Sequence, residues 1–211
     1  MDILQAIKER RSINFFEPGQ DISEAKLREL IALANLSPSS FNLQPWRVVV
    51  VKNAERKKTL RKCAFDQPKV EEASAVLIII ADPNAVEDNS GRVLDSWQEL
   101  GFMKPEMRET YLGMMKNLYG DVDSITRKIF AAKNAALFGM NIMLAAKGLG
   151  LETHPMDGFD GEAVKKEFGI PEDKIIPMLI AVGNLKSGIT LLPRAFRRDI
   201  DEFTGFESYK S

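Results

Sequence analysis

The sequence predicts a fold in which helices cover a central β-sheet. Residues 46–51 and 75–81 are short, β-branched runs with the length of buried strands. Helical patterns alternate with such runs, and the longest, 124–147, is rich in small residues that let a helix pack closely. Interspersed helices and strands are typical of a sheet with helices packed against it.

Capping residues and the spacing of apolar side chains define the individual elements. Helices are predicted over about 2–10, 23–33, 53–63, 124–147 and 159–168. Strands are predicted at 46–51, 75–81, 151–154 and 175–182.

The middle of the chain, 83–121, is predicted to be irregular, because Asp82-Pro83-Asn84 and Asn89-Ser90-Gly91 are turn-formers. Four of its apolar residues fall on one helical face: Met107, Tyr111, Met114 and Leu118. Such a face suits either a cover over a ligand or packing against the core or a second subunit.

Composition limits the class of protein. A chain of 211 residues with 45% hydrophobic residues is long enough for one domain with a substantial core. The net charge of -1 gives no general attraction to nucleic acid or to an anionic membrane. A single cysteine, a start without signal-peptide features and no apolar run longer than 75–81 favour a cytoplasmic protein without a membrane partner.

Several common kinds of active site are disfavoured. His154 and Cys63 are the only residues of their types and do not have metal-ligand spacing. The chain has no Gly-x-Ser-x-Gly elbow, no Gly-x-Gly-x-x-Gly and no Gly-Lys-[Ser/Thr] loop. His154 precedes a proline at a predicted strand end, so we expect a structural role for it.

Arginines and a polar loop indicate a phosphorylated ligand instead. Guanidinium groups match two phosphate oxygens at once, and arginines occur near both ends of the chain: Arg10, Arg11, Arg194, Arg197 and Arg198. The loop 37–46 offers hydroxyls and amides that suit a polyol or a heterocycle edge: Ser39, Ser40, Asn42 and Gln44. Each arginine alone also fits a solvated surface charge.

A glycine-containing turn follows the third predicted strand. Gly158 permits close approach of the backbone to a ligand, and an exposed amide there can donate to a ring nitrogen. The same residues equally suit the first turn of a helix capped by Asp157 or Asp160.

These segments together resemble the FMN-dependent nitroreductase family. The resemblance rests on 10–12, 37–46, 155–160 and the closing arginine-rich segment, in this order, and extends over nearly the whole chain. It implies an α+β fold with a central mixed sheet and an intertwined homodimer with two FMN molecules at the interface. The chain, 1–211, is then one domain, in which 83–121 is a variable segment near the active site.

The resemblance also implies roles for individual residues. The cofactor contacts would be Arg10, Arg11, Ser12, Asn14, Pro38, Ser39, Ser40, Asn42, Asp66, Asp157, Gly158, Arg194 and Arg197. Of these, 38–42 would come from the other subunit, and the backbone of 157–158 would meet the reactive nitrogen of the flavin. Substrate contacts would be Phe41, Tyr111 and Tyr119. No side chain is expected to act as catalytic acid or base, because the flavin carries the chemistry.

The chain departs from the family pattern at Asn14, at Asp66, at Asp157, which replaces a common Glu, and in the spacing of the tail around Arg194. Asn14 replaces a basic residue that meets the pyrimidine edge, and losing a cation there makes reduction of the flavin less favourable. Asp66 replaces a common Asn, and an ionised carboxylate accepts hydrogen bonds but cannot donate them.

The function implied is an FMN-dependent oxidoreductase that passes hydride from NADH or NADPH, in alternating half-reactions, to a nitroaromatic or quinone. Three alternatives remain at this point. They are a flavoenzyme that reduces one metabolite, by dehalogenation or at an activated double bond, a flavin-binding sensor or carrier without turnover, and a helical dimerisation module.

Overall fold

A four-stranded sheet forms the centre of the molecule. In the computed structural model, which describes residues 1–209, the strands are β1 (Trp46–Val51), β2 (Ala75–Ala81), β3 (Glu152–Met156) and β4 (Ile175–Gly183). Their order is β1-β2-β4-β3, and every neighbouring pair is antiparallel. The expectation of a mixed sheet is therefore wrong for the four strands, and the parallel pairing found is an isolated bridge between Ser12 and Thr153.

Eight α-helices surround the sheet in the described residues. They are α1 (Ile3–Glu9), α2 (Glu24–Ala34), α3 (Ala54–Cys63), α4 (Pro68–Glu72), α5 (Ala85–Glu99), α6 (Arg108–Tyr119), α7 (Ile125–Gly148) and α8 (Gly161–Phe168). Short 3-10 turns occur at Ser40–Asn42, Pro105–Met107 and Ile200–Glu202. The predicted caps of three helices are confirmed, because the side chains of Asp2, Ser23 and Ser124 accept hydrogen bonds from the first turns of α1, α2 and α7.

The core has two layers, one on each face of the sheet. One layer joins α2 and α7 to alternate residues of β2 such as Leu77 and Ile79. The other packs α3, α4 and α8 against the intervening residues such as Val76 and Ile78. Every residue of β2 is buried, which confirms the prediction of a strand covered on both faces.

The helix α7 is long and apolar enough to span a membrane by length and composition alone. Half of its most apolar window is buried, however, and it contributes Phe130, Phe138 and Ile142 to the core. We therefore interpret α7 as the central helix predicted from its small residues.

The middle of the chain is not irregular, contrary to the sequence prediction. Asn89, Ser90 and Gly91 lie inside α5, because the neighbouring Val86 and Leu94 are buried in the core and hold the segment helical. Packing thus overrides the turn preference of these residues.

Arg127 fixes the ends of the helices in this region. Its side chain is 1% exposed and donates to the carbonyl groups of Pro83 and Gly120 as well as to the carboxylate of Glu87. The start of α5 and the link between α6 and α7 are therefore held together by one guanidinium group.

Candidate functional site

β3 and the turn after it form one side of the candidate site. Residues of this strand and of the turn after it accept hydrogen bonds from the segment after α1 and from the loop before α4. The backbone N–H of Ile13 donates to the carbonyl of Thr153 (3.2 Å), and the side chain of Gln67 donates to the carbonyl of Gly158 (2.7 Å). Segments that are distant in sequence therefore meet along one edge strand of the sheet.

The two ends of the chain meet at the start of this strand. Arg194 Nη2 donates to the carbonyls of Lys8 (2.6 Å) and Arg10 (3.1 Å), and Arg11 Nη2 donates to that of Pro193 (3.2 Å). Within residues 1–209, Arg197 donates only to carbonyls of its own segment, those of Ala195 and Phe196. Arginines from the two terminal segments thus lie close together, but here they donate to backbone carbonyls, and their shared binding of a phosphate stays a prediction.

The arginine cluster, Arg10, Arg11, Arg194 and Arg197, has little compensating negative charge. Burial first, and then the charges of Arg194 and Arg197, lower the pKa of the Arg10 guanidinium, while Glu152 opposes this shift. One oxygen of Glu152 already binds Lys147 at 2.5 Å. Concentrated positive charge of this kind favours binding of an anion.

Buried polar atoms without partners occur at the same place. Within the described part of the chain, Arg10 Nη1, Glu152 Oε2 and Thr153 Oγ1 have no hydrogen-bond partner. Such atoms are costly unless another group satisfies them. The unpaired donor on Arg10, beside the charges of Arg194 and Arg197, fits a ligand with acceptor oxygens.

Lys69, Asn14 and His154 form a second polar group further along β3. Lys69 Nζ lies 2.9 Å from Asn14 Oδ1 and 3.1 Å from His154 Nε2. His154 Nδ1 lies 2.7 Å from the carbonyl oxygen of Ile13. This group places the positively charged Lys69 ammonium next to Asn14, which carries no charge of its own.

The turn at 157–158 packs against the loop before α4. A Cβ at Gly158 would lie 3.3 Å from Gln67 Nε2 and 4.0 Å from Phe65, so a side chain here would crowd that loop. Phe65 and Asp66 both adopt positive φ, and the Phe65 ring is 68% exposed. The Asp66 side chain is also largely exposed, with a long contact of 3.9 Å to Arg61. The side chain of Asp160, rather than that of Asp157, caps α8.

The loop 37–46 is shaped by its own hydrogen bonds and by α7. Ser39 Oγ accepts from the Gln44 N–H at 2.9 Å, and Asn134 Oδ1 on α7 accepts from the Ser40 N–H at 3.2 Å. Phe41, Asn42 and Gln44 all adopt positive φ, which is uncommon for such residues and signals a constrained loop.

Aromatic rings connect this loop to the middle segment. The Phe41 ring lies 6.3 Å from the rings of both Trp97 and Tyr119, and Tyr111 lies edge-on to Trp97 at 5.6 Å. The hydroxyl of Tyr119 binds the hydroxyl of Ser40. The three predicted substrate residues therefore belong to one aromatic cluster, Phe41, Trp97, Tyr111 and Tyr119.

The structure brings some predicted site residues together and leaves others apart. The arginine cluster, Ser12, Asn14 and the turn at 157–158 lie along β3. The loop residues Pro38, Ser39, Ser40 and Asn42 have no hydrogen bond, ion pair or ring contact with that group among residues 1–209. The two halves of the predicted site are thus separate within one chain.

Lys69 was missed by the sequence analysis, although Asp66, in the loop just before it, was among the predicted cofactor contacts. The missing signal was Pro68, because a proline at the first position of a helix marks the start of α4. That short helix places Lys69 against β3.

Comparison with known proteins identifies the class. The model of the Nitroreductase family matches residues 7–184. The chain is 32% identical over 200 residues to MhqN of Bacillus subtilis, named as an NAD(P)H nitroreductase, covering 95% of this chain and 96% of MhqN. The chain belongs to the nitroreductase family.

Solved structures have the same fold. A protein of Exiguobacterium sibiricum, described as a nitroreductase and solved in complex with FMN, has a TM-score of 0.87 at 28% identity, with 98% of each chain covered. The enone reductase CLA-ER, of gut-bacterial fatty acid saturation metabolism, has a TM-score of 0.84 at 27% identity, again with 98% of each covered. That protein is described as an enone reductase.

Proposed function

We propose that the chain binds FMN along β3 and passes a hydride from NADH or NADPH, through the flavin, to a flat, electron-poor acceptor such as a nitroaromatic or a quinone. Donor and acceptor would occupy the same place in turn. The observation that carries this proposal is the arginine cluster with its buried, unpaired Arg10 Nη1, which fits the phosphate of FMN. Family membership and the FMN complex of a similar protein support it.

The order of groups along β3 also suits FMN. The arginine cluster would hold the phosphate, with Ser12 beside it. Asn14 and Lys69 would meet the pyrimidine edge, and the backbone of 157–158 would lie at the reactive nitrogen. When bound, FMN supplies the hydride chemistry, so the protein supplies position, charge and exclusion of water.

Lys69 changes the expectation for Asn14. A cation beside the pyrimidine stabilises the negative charge that reduction places there. Lys69 donates to Asn14 Oδ1 and so brings positive charge to this edge without a basic residue at position 14. We therefore expect reduction of the flavin to remain favourable.

A homodimer completes the site in this proposal. The loop 38–42 would meet the FMN bound mainly by the partner, which explains why the two halves are separate within one chain. Large apolar side chains are exposed on α1, on α7 and in the closing segment: Ile3, Leu4, Ile7, Ile125, Ile129, Leu192, Phe196, Ile200 and Phe203. Apolar surface of this extent is typical of a protein interface.

The aromatic cluster would form the acceptor side of the site. Phe41, Tyr111 and Tyr119 are rigidly placed by ring contacts and by the bond of Tyr119 to Ser40. Flat rings present apolar faces against which a planar acceptor can stack. In this proposal, 83–121 is the variable part that determines which acceptor is accepted.

An anaerobic titration tests the function directly. Purified protein should be yellow, should bleach with NADH or NADPH, and should recolour when a nitroaromatic or a quinone is added. Bound FMN that neither nicotinamide bleaches would instead support a flavin carrier. Protein that does not bind FMN would leave only a structural role for the arginines.

Reduction of an activated double bond is the second candidate. The similarity to the enone reductase CLA-ER favours it. The same reduced protein, offered an α,β-unsaturated ketone, would be reoxidised faster than by a nitroaromatic if this candidate is correct.

A further inference from the structure

His154 lies between two partners that fix its protonation. The Ile13 carbonyl can only accept a hydrogen bond, so His154 Nδ1, at 2.7 Å, carries a hydrogen. The Lys69 ammonium can only donate, so His154 Nε2, at 3.1 Å, presents its lone pair. With Lys69 charged, this geometry fits a neutral imidazole with its hydrogen on Nδ1.

The surroundings also favour the neutral form. Burial first, and then the charge of Lys69, lower the pKa of His154, while the bond to Ile13 opposes the shift. Among the described residues, Lys69 is the only charged group that interacts with this imidazole. Burial lowers the pKa of Lys69 as well. Within residues 1–209, no carboxylate pairs with either of these two groups.

Two hydrogen-bond acceptors, Asn14 Oδ1 and His154 Nε2, fix the position of the Lys69 ammonium. This ammonium has three hydrogens, of which Asn14 Oδ1 and His154 Nε2 take two. Among residues 1–209 no third acceptor binds Lys69 Nζ, so one hydrogen is left for a ligand. Asn14 is itself exposed, so His154 is the more rigid of the two supports.

We infer that His154 is the positioning residue for Lys69 and that its Nε2 takes up a proton when the cofactor beside Lys69 is reduced. This inference rests on the proposed function, because it requires the pyrimidine edge of FMN to meet Lys69. Negative charge that arrives at that edge attracts Lys69 away from His154 and makes a second positive charge favourable.

The charges and atoms balance. A hydride leaves the dihydronicotinamide, which becomes a cationic nicotinamide, and adds to the flavin with two electrons. The flavin gains one negative charge. His154 Nε2 then takes one proton from solvent and becomes positively charged, so the site keeps its net charge.

The only histidine of the chain gives a clean spectroscopic test. A ¹H–¹⁵N imidazole spectrum of the protein before and after flavin reduction reports the tautomer and the pKa of His154 alone. We expect the neutral form with hydrogen on Nδ1 in the oxidised protein, and a higher pKa after reduction. Lys69→Met should raise the pKa of His154 in the oxidised protein, because the repelling charge is gone. Hydrogen on Nε2, or an imidazole already charged at neutral pH, would overturn the inference.

The midpoint potential of the bound flavin gives a second test. In the wild type, its slope against pH should double between the two pKa values of His154, since a second proton then accompanies the two electrons. In His154→Gln, whose carboxamide oxygen still accepts from Lys69 but does not titrate, the slope should stay single and FMN affinity should stay within about twofold. His154→Leu should bind FMN about tenfold more weakly, the effect of one lost bond to a charged group.

The outcomes separate the inference from the function. FMN that binds and is bleached, with the same slope in wild type and His154→Gln, overturns the inference and leaves the function intact. Protein that does not bind FMN overturns the function and the linked proton uptake together. The imidazole tautomer in that protein still decides whether His154 orients Lys69.

Discussion

Arg10 is the residue on which the phosphate hypothesis depends most directly. It is half-buried at the end of α1, it has a donor without a partner, and three other arginines surround it. None of these three properties is visible from the motif at 10–12. A sequence gives the type of side chain, but the unsatisfied atom exists only because the tail and the start of β3 enclose it.

Arg10→Ala should weaken FMN binding about 10- to 100-fold, the effect of losing a charge-assisted hydrogen bond. Titration of apo-protein into FMN, followed by quenching of flavin fluorescence, measures this. Arg28→Ala is the matched control, because that guanidinium pairs with Glu24 on an exposed helix face. Equal affinities for the two variants would contradict the proposed phosphate site.

Lys69 is a site residue that sequence motifs alone could not predict. The arginines and the turn at 157–158 were found because they belong to recognisable segments. Lys69 belongs to none, and only the five-residue helix α4 brings it to His154. A contact between residues 85 positions apart depends on the fold, which residue spacing alone does not supply.

At the scale of elements, the ends of β2 and β4 are joined by a buried ion pair. The Asp82 side chain is 3% exposed and binds Lys174 at 2.7 Å and Arg47 at 2.7 Å. Burial alone would raise the pKa of Asp82, but the hydrogen bonds from Lys174 and Arg47 outweigh it and the pKa is lowered. The carboxylate therefore stabilises the fold only while it is ionised.

Because its pKa is lower in the folded state, Asp82 contributes fully above the ordinary value of 3.8, and the contribution is lost as the pH falls through the folded pKa. Asp82→Asn should lose about 2–3 kcal/mol at pH 7 and should lose less further stability between pH 5 and pH 2 than the wild type. Urea unfolding at several pH values measures both. If the free energy of unfolding depends on pH in the same way for Asp82→Asn and the wild type, Asp82 is not the group whose titration lowers the stability.

Replacing two glycines, Gly183 and Gly113, by alanine should have opposite effects on stability. A Cβ at Gly183, the last residue of β4, would lie 2.8 Å from the Phe16 ring and 3.2 Å from the backbone N of Ser74. A Cβ at Gly113, inside α6, would have nothing within 4 Å.

Gly183→Ala should therefore destabilise the fold by about 1–3 kcal/mol through overpacking. Gly113→Ala should stabilise it by about 0.5–1 kcal/mol through helix propensity. Thermal unfolding of both variants checks the signs. A stable Gly183→Ala variant would mean that Phe16 can move aside.

Element prediction succeeded where local and long-range preferences agree. β2 was predicted with its observed bounds because all seven residues are apolar and all are buried. α5 was missed because Asn89, Ser90 and Gly91 favour turns locally. In the fold, Ser90 is buried and Asn89 donates to the Leu43 carbonyl, so tertiary contacts decide the helix.

At the scale of the whole molecule, the exposed apolar surface fits the proposed homodimer. Ile3, Leu4 and Ile7 form an apolar stripe on α1 that nothing covers within residues 1–209. A monomer would leave this stripe and the apolar closing segment in water. In the proposed dimer, the apolar stripe of α1 and the apolar closing segment are buried at the interface. The loop 38–42 of each subunit then reaches the flavin bound by its partner.

Ile7→Asp should shift the protein from dimer to monomer, because a buried unpaired charge at an interface costs several kcal/mol. Sedimentation velocity at micromolar concentration measures the shift, and FMN retention should fall with it. Ala54→Asp, which adds the same charge at an exposed position that begins α3, should stay dimeric. A wild type that sediments as a monomer with FMN bound would remove the dimer from the proposal.

The bridge between Ser12 and Thr153 has a consequence beyond ligand binding. β3 is the last strand of its sheet, and an uncovered outer strand invites other chains to pair with it. The residues that follow α1 cover part of this edge with their own backbone, at Ser12 and Ile13, so we expect the segment that carries Arg10 also to limit pairing with other chains. Deleting it to probe the cofactor would therefore expose the sheet to edge-to-edge association, whereas single side-chain replacements leave that protection in place.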